Sequence, residues 1–90
     1  MKREKIMLIY SNMELYKPIK STRKHKKYMV LTKDGVKHFG DNRYGQYHDK
    51  LGLYKHLDHK DKERRRLYHA RHGQTNNKDT SKYWSHKILW

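Results

Sequence analysis

A small single α+β domain, organised around a β-hairpin, is what this 90-residue sequence predicts. Three observations carry the prediction. Two apolar runs flank an Asp-Gly turn at Asp34-Gly35, an arginine-rich stretch is opened by acids and stopped by Gly73, and the last eight residues are dense in aromatic and aliphatic side chains. Residues 1–26 read as a basic N-terminal arm carrying a short strand. Residues 27–90 read as the domain, a hairpin-centred sheet with one basic helix packed across it and a C-terminal aromatic segment closing the core.

Lys5–Tyr10 has the Ile and Leu content of a short strand and is followed by Ser11-Asn12, a turn signal. From Met13 to His25 no period is visible, and Pro18 pushes Lys17 toward extended backbone, which argues against a helix. The stretch Lys17–Lys27 is crowded with Lys and Arg; it reads as an arm laid along a partner or as a solvated loop. Lys27–Thr32 and Val36–Phe39 then form the hairpin, whose turn needs a left-handed residue where Gly35 sits. With a two-residue loop, Tyr28 and Val30 share a face with Phe39, and Met29 and Leu31 share the other with Val36 and His38. A three-residue loop exchanges Phe39 and Val36. Asp41–Leu57, with Tyr44, Tyr47 and Tyr54 interrupted by Gly45 and Gly52, reads as loop with one helical turn. Asp58 or Asp61 caps a helix that ends near His72, with acids in the first turn, Arg and His in the last, and Gly73 as the stop. Arg64, Leu67, Tyr68 and Arg71 fall at three-to-four spacing and give it a narrow seam. Gln74–Lys82 is a polar loop, and Tyr83–Trp90 supplies bulk that packs the end of the chain.

Composition bounds the function. There are 23 Lys and Arg against 9 Asp and Glu, a net charge of +14, with eight histidines besides. Such a chain repels itself unless counter-ions or an acidic partner relieve it. Only 33% of residues are hydrophobic against 36% charged, which drifts toward partner-dependent folding, while 12% aromatics supply the means for a small core. Cysteine is absent, so disulfides and thiolate metal sites are excluded. The longest apolar run, Ile6–Tyr10, is far short of the roughly 20 residues that span a bilayer, and too short for the core of a signal peptide.

From Phe39 onward the order of landmarks resembles a family of small, basic, uncharacterised proteins of large double-stranded DNA viruses and tailed phages. The landmarks are Phe39-Gly40, then Tyr44 and Tyr47. His59-Lys60-Asp61 precedes the arginine-rich helix ending Tyr68-His69-Ala70-Arg71-His72, and the chain closes on Tyr83-Trp84-Ser85 followed by Ile88-Leu89-Trp90. The likeness covers residues 27–90, with a longer spacing over Lys50–Leu57. It implies a viral setting, in the virion and in the host interior during assembly, and carries no established activity. It also implies that Trp84, Trp90 and the Tyr68, Arg71, His72 face form one shared core.

The residues expected to meet an anionic partner are Arg23, Lys24, Lys26 and Lys27 in the arm, and Lys62, Arg64, Arg65, Arg66 and Arg71 in the helix. Consecutive helical residues lie about 100° apart, so three successive arginines cannot all face a core, and Arg65 and Arg66 are expected to point outward. Arg suits bidentate contact with phosphate or carboxylate better than Lys does. The expected core anchors are Phe39, Tyr68, Trp84 and Trp90, and the tyrosines are read as core ahead of base-stacking platforms. His56 with His59, and His69 with His72, have the i,i+3 spacing of metal ligands, but neighbouring cations oppose a dication, and no metal or cofactor is expected. The order of Asp58-His59, Asn76-Asn77 and His86 does not fit a His-Asn-His nuclease, and no Ser-His-Asp, Cys-His or glycine-rich phosphate motif is present. An enzyme is therefore not expected. No segment pairs a large apolar face with a basic one, so neither a membrane nor a small-molecule substrate is an expected partner. Two readings use the same charges. One is a minor capsid or cement-like virion component that binds acidic surfaces of larger capsid proteins, favoured by the aromatic content. The other is a genome-associated protein that neutralises nucleic acid without sequence preference. A small nuclease or regulator is a distant third.

Overall fold

The computed structural model describes residues 11–90, and the strand expected over Lys5–Tyr10 lies outside them. The fold is small α+β: a three-stranded antiparallel sheet and two helices. The strands are β1 (Ile19–Lys20), β2 (Lys26–Thr32) and β3 (Gly35–Asp41), in the order β1-β2-β3. A 3-10 turn at Lys55–Leu57 interrupts the long connection to α1 (Lys62–His72), and α2 (Ser81–Leu89) follows a polar loop.

The register selects the two-residue hairpin loop. Thr32 pairs with Gly35, leaving Lys33 and Asp34 as the loop, and Tyr28 faces Phe39 while Leu31 faces Val36. Gly35 has φ of 100°, a conformation that costs a side-chain-bearing residue dearly. Thr32 Oγ1 donates to the Gly35 carbonyl at 2.7 Å and accepts from the Asp34 amide at 3.1 Å, which closes the turn.

The core lies between the sheet and α2. Tyr28, Val30 and Phe39 come from the strands, and Trp84, Ile88 and Leu89 from the helix. Trp84 and Ile88 are four residues apart and share a helix face. Tyr28 tilts against Phe39 with ring centres 5.8 Å apart and meets Tyr54 edge-on at 5.5 Å. Each fully buried apolar side chain contributes roughly 1.5–3 kcal/mol, so a core this lean leaves little margin.

Three expectations are corrected, and one open alternative is decided. The helix packed on the sheet is α2, read from sequence only as apolar bulk. The arginine helix α1 buries none of its residues: five of its eleven are Lys or Arg, and Leu67, expected in its seam, is 45% exposed. The N-cap of α1 is Asp61, whose carboxylate accepts from the Glu63 and Arg64 amides. Residues 15–26 are built into the fold: Ile19 and Lys20 pair with Met29 and Tyr28, Leu15 bridges to Leu31, and Tyr16 stacks on Trp84 at 6.2 Å.

A buried polar network holds the loop between β3 and α1. Asp49, 1% exposed, accepts from the Tyr28 hydroxyl at 2.6 Å, the Tyr54 amide at 2.8 Å and the Leu51 amide at 2.9 Å. Asp58 accepts from the Gln46 side-chain amide at 2.6 Å and the Asp49 amide at 2.8 Å, with His48 Nδ1 at 3.2 Å from its second oxygen. Lys27, expected on the partner-binding arm, is 2% exposed; its ammonium donates to the Tyr44 carbonyl at 3.0 Å and to Gln46 Oε1. Its place on the central strand, on the face opposite Tyr28, turns it inward, so it is not a surface cation. Burial holds its pKa below the ordinary lysine value, against the opposing pull of Asp49, Asp41 and Asp58.

Candidate functional site

The few carboxylates are almost all committed within the fold. Asp49 and Asp58 sit in the loop network and Asp61 caps α1. Asp79 accepts from the Tyr16 hydroxyl at 2.7 Å and the Lys33 amide at 3.0 Å. Those two donors hold the Asp79 carboxyl below the ordinary range. Asp41 is bound by Arg43, Glu63 by Arg66, and Glu14 lies 3.6 Å from Lys17. Asp34, in the hairpin loop, is the described carboxylate left outside this set. Much of the negative charge thus satisfies backbone amides and hydroxyls, and among the described residues most lysines and arginines have no carboxylate partner.

That excess converges in a cleft of about 420 Å³ between α1 and α2. It is lined by Arg65 and His69 from α1, His86 and Lys87 from α2, and Lys50 from the loop; Trp90 and Tyr83 complete the walls, and no Asp or Glu side chain contributes. The end of α2 assembles it. The last carbonyls of a helix have no partner within the helix and carry a partial negative charge of about half a unit. Here the His48 and Lys50 amides donate to the Leu89 and Ile88 carbonyls, both at 3.1 Å. Lys50 Nζ donates to the Lys87 carbonyl at 2.6 Å, and Arg65 Nε and His69 Nε2 donate to the Trp90 main-chain oxygen at 2.8 Å and 3.1 Å. Lys50, Arg65 and Lys87 outnumber the negative charge at the helix end, so the cleft stays positive. A second, shallower groove of about 260 Å³ runs along α1, lined by Lys62, Arg65, Arg66 and His69. Arg65 and His69 line both, so the two form one track. From Lys62 to His69 the helix advances about 10 Å at 1.5 Å per residue.

Histidines and aromatics buttress the cleft. Tyr68 stacks flat on Trp90, with ring centres 4.3 Å apart and planes 4° from parallel, and lies 4.4 Å from the His72 ring. Its hydroxyl is 2.9 Å from Ser85 Oγ and 3.1 Å from His86 Nδ1. His86 Nε2 donates to the Gly73 carbonyl at 2.8 Å, tying the stop of α1 to α2. Burial pushes the His86 pKa down; the Gly73 carbonyl opposes this, and His69, His72 and Lys82 add to it. His59 lies between Tyr47 and Trp90, accepts the Asp61 amide on Nδ1 at 2.9 Å, and leaves Nε2 buried without a partner.

The expected binding residues fall into separate groups. Arg23 and Lys24 are exposed on the turn between β1 and β2, and Lys26 is half-buried at the start of β2. Lys62, Arg65 and Arg66 come together in the groove, whereas Arg64 leans toward Asp61 at 3.7 Å and Arg71 is exposed. Arg65 does not simply point outward: besides its bond to Trp90, its guanidinium lies 4.9 Å over the Tyr47 ring. Of the expected anchors, Phe39 and Trp84 are buried, and Tyr68 and Trp90 are half-buried as a stacked pair. Arg71, grouped with that pair by the family resemblance, stays in solvent. Lys50, His69, His86 and Lys87 were not singled out as binding residues. The i,i+4 spacing of Arg65 and His69 is a sequence signal for one shared face; Lys50 arrives only through tertiary folding. Among the described residues no group of three or more His, Asp or Glu side chains could hold a metal ion, and no helix is long and apolar enough to cross a membrane.

Comparison with protein-family models, with curated proteins and with solved structures finds no match to this chain.

Proposed function

We propose that the protein binds nucleic acid through its phosphates, without reading base sequence. The observation that carries this reading is the segregation of charge: the buried carboxylates serve donors of the fold, most exposed ones pair with neighbouring cations, and a continuous track from Lys62 to Lys87 is lined by cations with no Asp or Glu side chain among them. Phosphate contacts of this kind position a protein on a strand and carry no sequence information. With the resemblance to small basic viral proteins, the natural cargo is a packaged or replicating genome, and the place is the virion or the infected cell. A minor capsid or cement-like role would turn the same cations toward acidic faces of larger subunits.

A salt titration of binding to random-sequence single- and double-stranded DNA, with polylysine of equal charge as control, separates the two. Log affinity falls with log salt by about 0.9 for each duplex phosphate neutralised, and about 0.7 on a single strand. The expected result is a slope equivalent to several phosphates and an affinity clearly above the control near physiological salt. Binding that only matches polylysine and vanishes at that salt would refute the nucleic-acid reading and direct attention to the particle shell.

A further inference from the structure

We propose that the cleft between α1 and α2 is the seat of a phosphomonoester, the doubly charged phosphate that ends a nucleic-acid strand or is carried by a free nucleoside monophosphate. The proposal deepens the nucleic-acid reading and rests on it. Charge is the first argument. A phosphodiester carries a single negative charge, whereas a phosphomonoester carries about −1.5 to −2 at neutral pH. Lys50, Arg65 and Lys87 bring three permanent positive charges to one cleft lined by no Asp or Glu side chain, more than a single diester needs.

The donor inventory is the second argument. Lys50 gives one of its three protons to the Lys87 carbonyl and keeps two. Arg65 uses Nε on Trp90, which leaves both terminal amino groups of its fork free for a bidentate contact with an oxyanion. Lys87 rests 5.7 Å from the Tyr83 and Trp84 ring centres, and no carboxylate holds it among the described residues. Thr75 Oγ1 accepts from the Asn77 amide at 3.1 Å, so its own proton remains to be donated into the cleft.

Preorganisation is the third. The end of α2 already fixes Lys50 and Arg65, so an incoming phosphate meets donors whose positions are set. The volume lies within the range of small-molecule sites, roughly 300–1,000 Å³. The groove along α1 opens from the same Arg65 and His69, and offers Lys62 to the next phosphate of a strand whose end sits in the cleft.

The test is tryptophan emission, since Trp90 lines the cleft, read against four probes: a short single-stranded oligonucleotide with and without a 5′-terminal phosphate, a nucleoside monophosphate, and the parent nucleoside. The expected result is a preference of about tenfold or more for the phosphorylated member of a pair, the increment of one strong charge-assisted contact. Lys87→Gln and Lys50→Gln should each erase that preference, whereas Arg71→Gln, outside the cleft, should lower all affinities for strands slightly and leave the preference intact. Circular dichroism verifies that each variant is folded, and the two lysine variants provide independent tests. The stronger of the two phosphorylated probes identifies the source of the group. Equal binding with and without terminal phosphate overturns the seat while leaving nucleic-acid binding standing. If the nucleoside monophosphate binds with the expected preference and no strand exceeds polylysine, the seat is upheld for a free nucleotide and the nucleic-acid reading fails.

Discussion

Asp49 shows how much of this small fold depends on a single polar side chain. It accepts from the Tyr28 hydroxyl and from the Leu51 and Tyr54 amides, and so fastens the long loop to the central strand. Asp49→Ala leaves those three donors without their acceptor, at about 1–3 kcal/mol for each buried unsatisfied group. Against the 5–15 kcal/mol that typically holds a domain together, the variant is expected to be unfolded or nearly so at room temperature. Asp49→Asn keeps one acceptor oxygen and should fall between the two; urea denaturation followed by tyrosine and tryptophan emission orders the three proteins, and a near-native midpoint for the alanine variant would contradict this account. The sequence gives little hint of the role, because acids in an irregular segment have no period. Lys27 is a different case. It stands in a run of cations, which suggests solvent, yet it alternates with Met29 and Leu31, which suggests an inward face. The second signal was the physically relevant one, since a central strand is covered on both sides.

At the scale of elements, Gly40 marks a close approach of α2 to the sheet. Its φ is 75°, and a Cβ there would lie 2.7 Å from Leu89 Cδ1 and 3.0 Å from Lys27 Cδ. Gly40→Ala therefore combines left-handed strain with a clash against a packed core residue, and a loss of about 1–3 kcal/mol is expected from the backbone alone. A thermal melt compares it with Gly73→Ala, where φ is 68° but nothing lies within 4 Å of the added carbon. The Gly40 variant should be the less stable of the two, and the reverse order would show that the contact with Leu89 relaxes freely. Elements were legible where local chemistry defines them: the Asp-Gly turn set the hairpin, and Asp61 and Gly73 bracketed the arginine helix. The closing helix was missed although Thr80 caps it and Trp84 and Ile88 share a face. Bulk at the chain end drew attention to packing and away from periodicity. The cleft was half legible: its Arg65 and His69 wall is a helical spacing, whereas Lys50 reaches it only because its amide and side chain cap α2.

For the whole molecule, charge and stability are coupled through pH. His38, His59 and His86 all have pKa values below the ordinary 6.5, with burial the leading cause in each. Arg23 and Lys26 press on His38 in the same direction. Arg64 and Lys27 do so on His59, where Asp61 and Asp58 pull the other way. A depressed folded pKa means that the unfolded chain takes up protons first as pH falls. The stability these neutral rings contribute is therefore fully present above about pH 6.5 and is lost as pH drops toward their folded values. Protonation also adds to a net charge already at +14, so self-repulsion acts with the same sign. Salt separates the two causes, because surface repulsion is screened over about 10 Å at 0.1 M and the cost of charging a buried ring is screened much less. The melting temperature is expected to fall between pH 7 and pH 5 at both low and high salt, by less at high salt. If high salt abolishes the fall, repulsion alone is responsible and the buried histidines contribute nothing. A phosphate-bearing strand that binds only the folded chain should raise the melting temperature at every pH in the series by mass action. The extra rise given by a terminal phosphate should shrink as pH falls from 7 to 5, because its second ionisation lies at about pH 6, whereas the diesters of an unphosphorylated strand keep their charge.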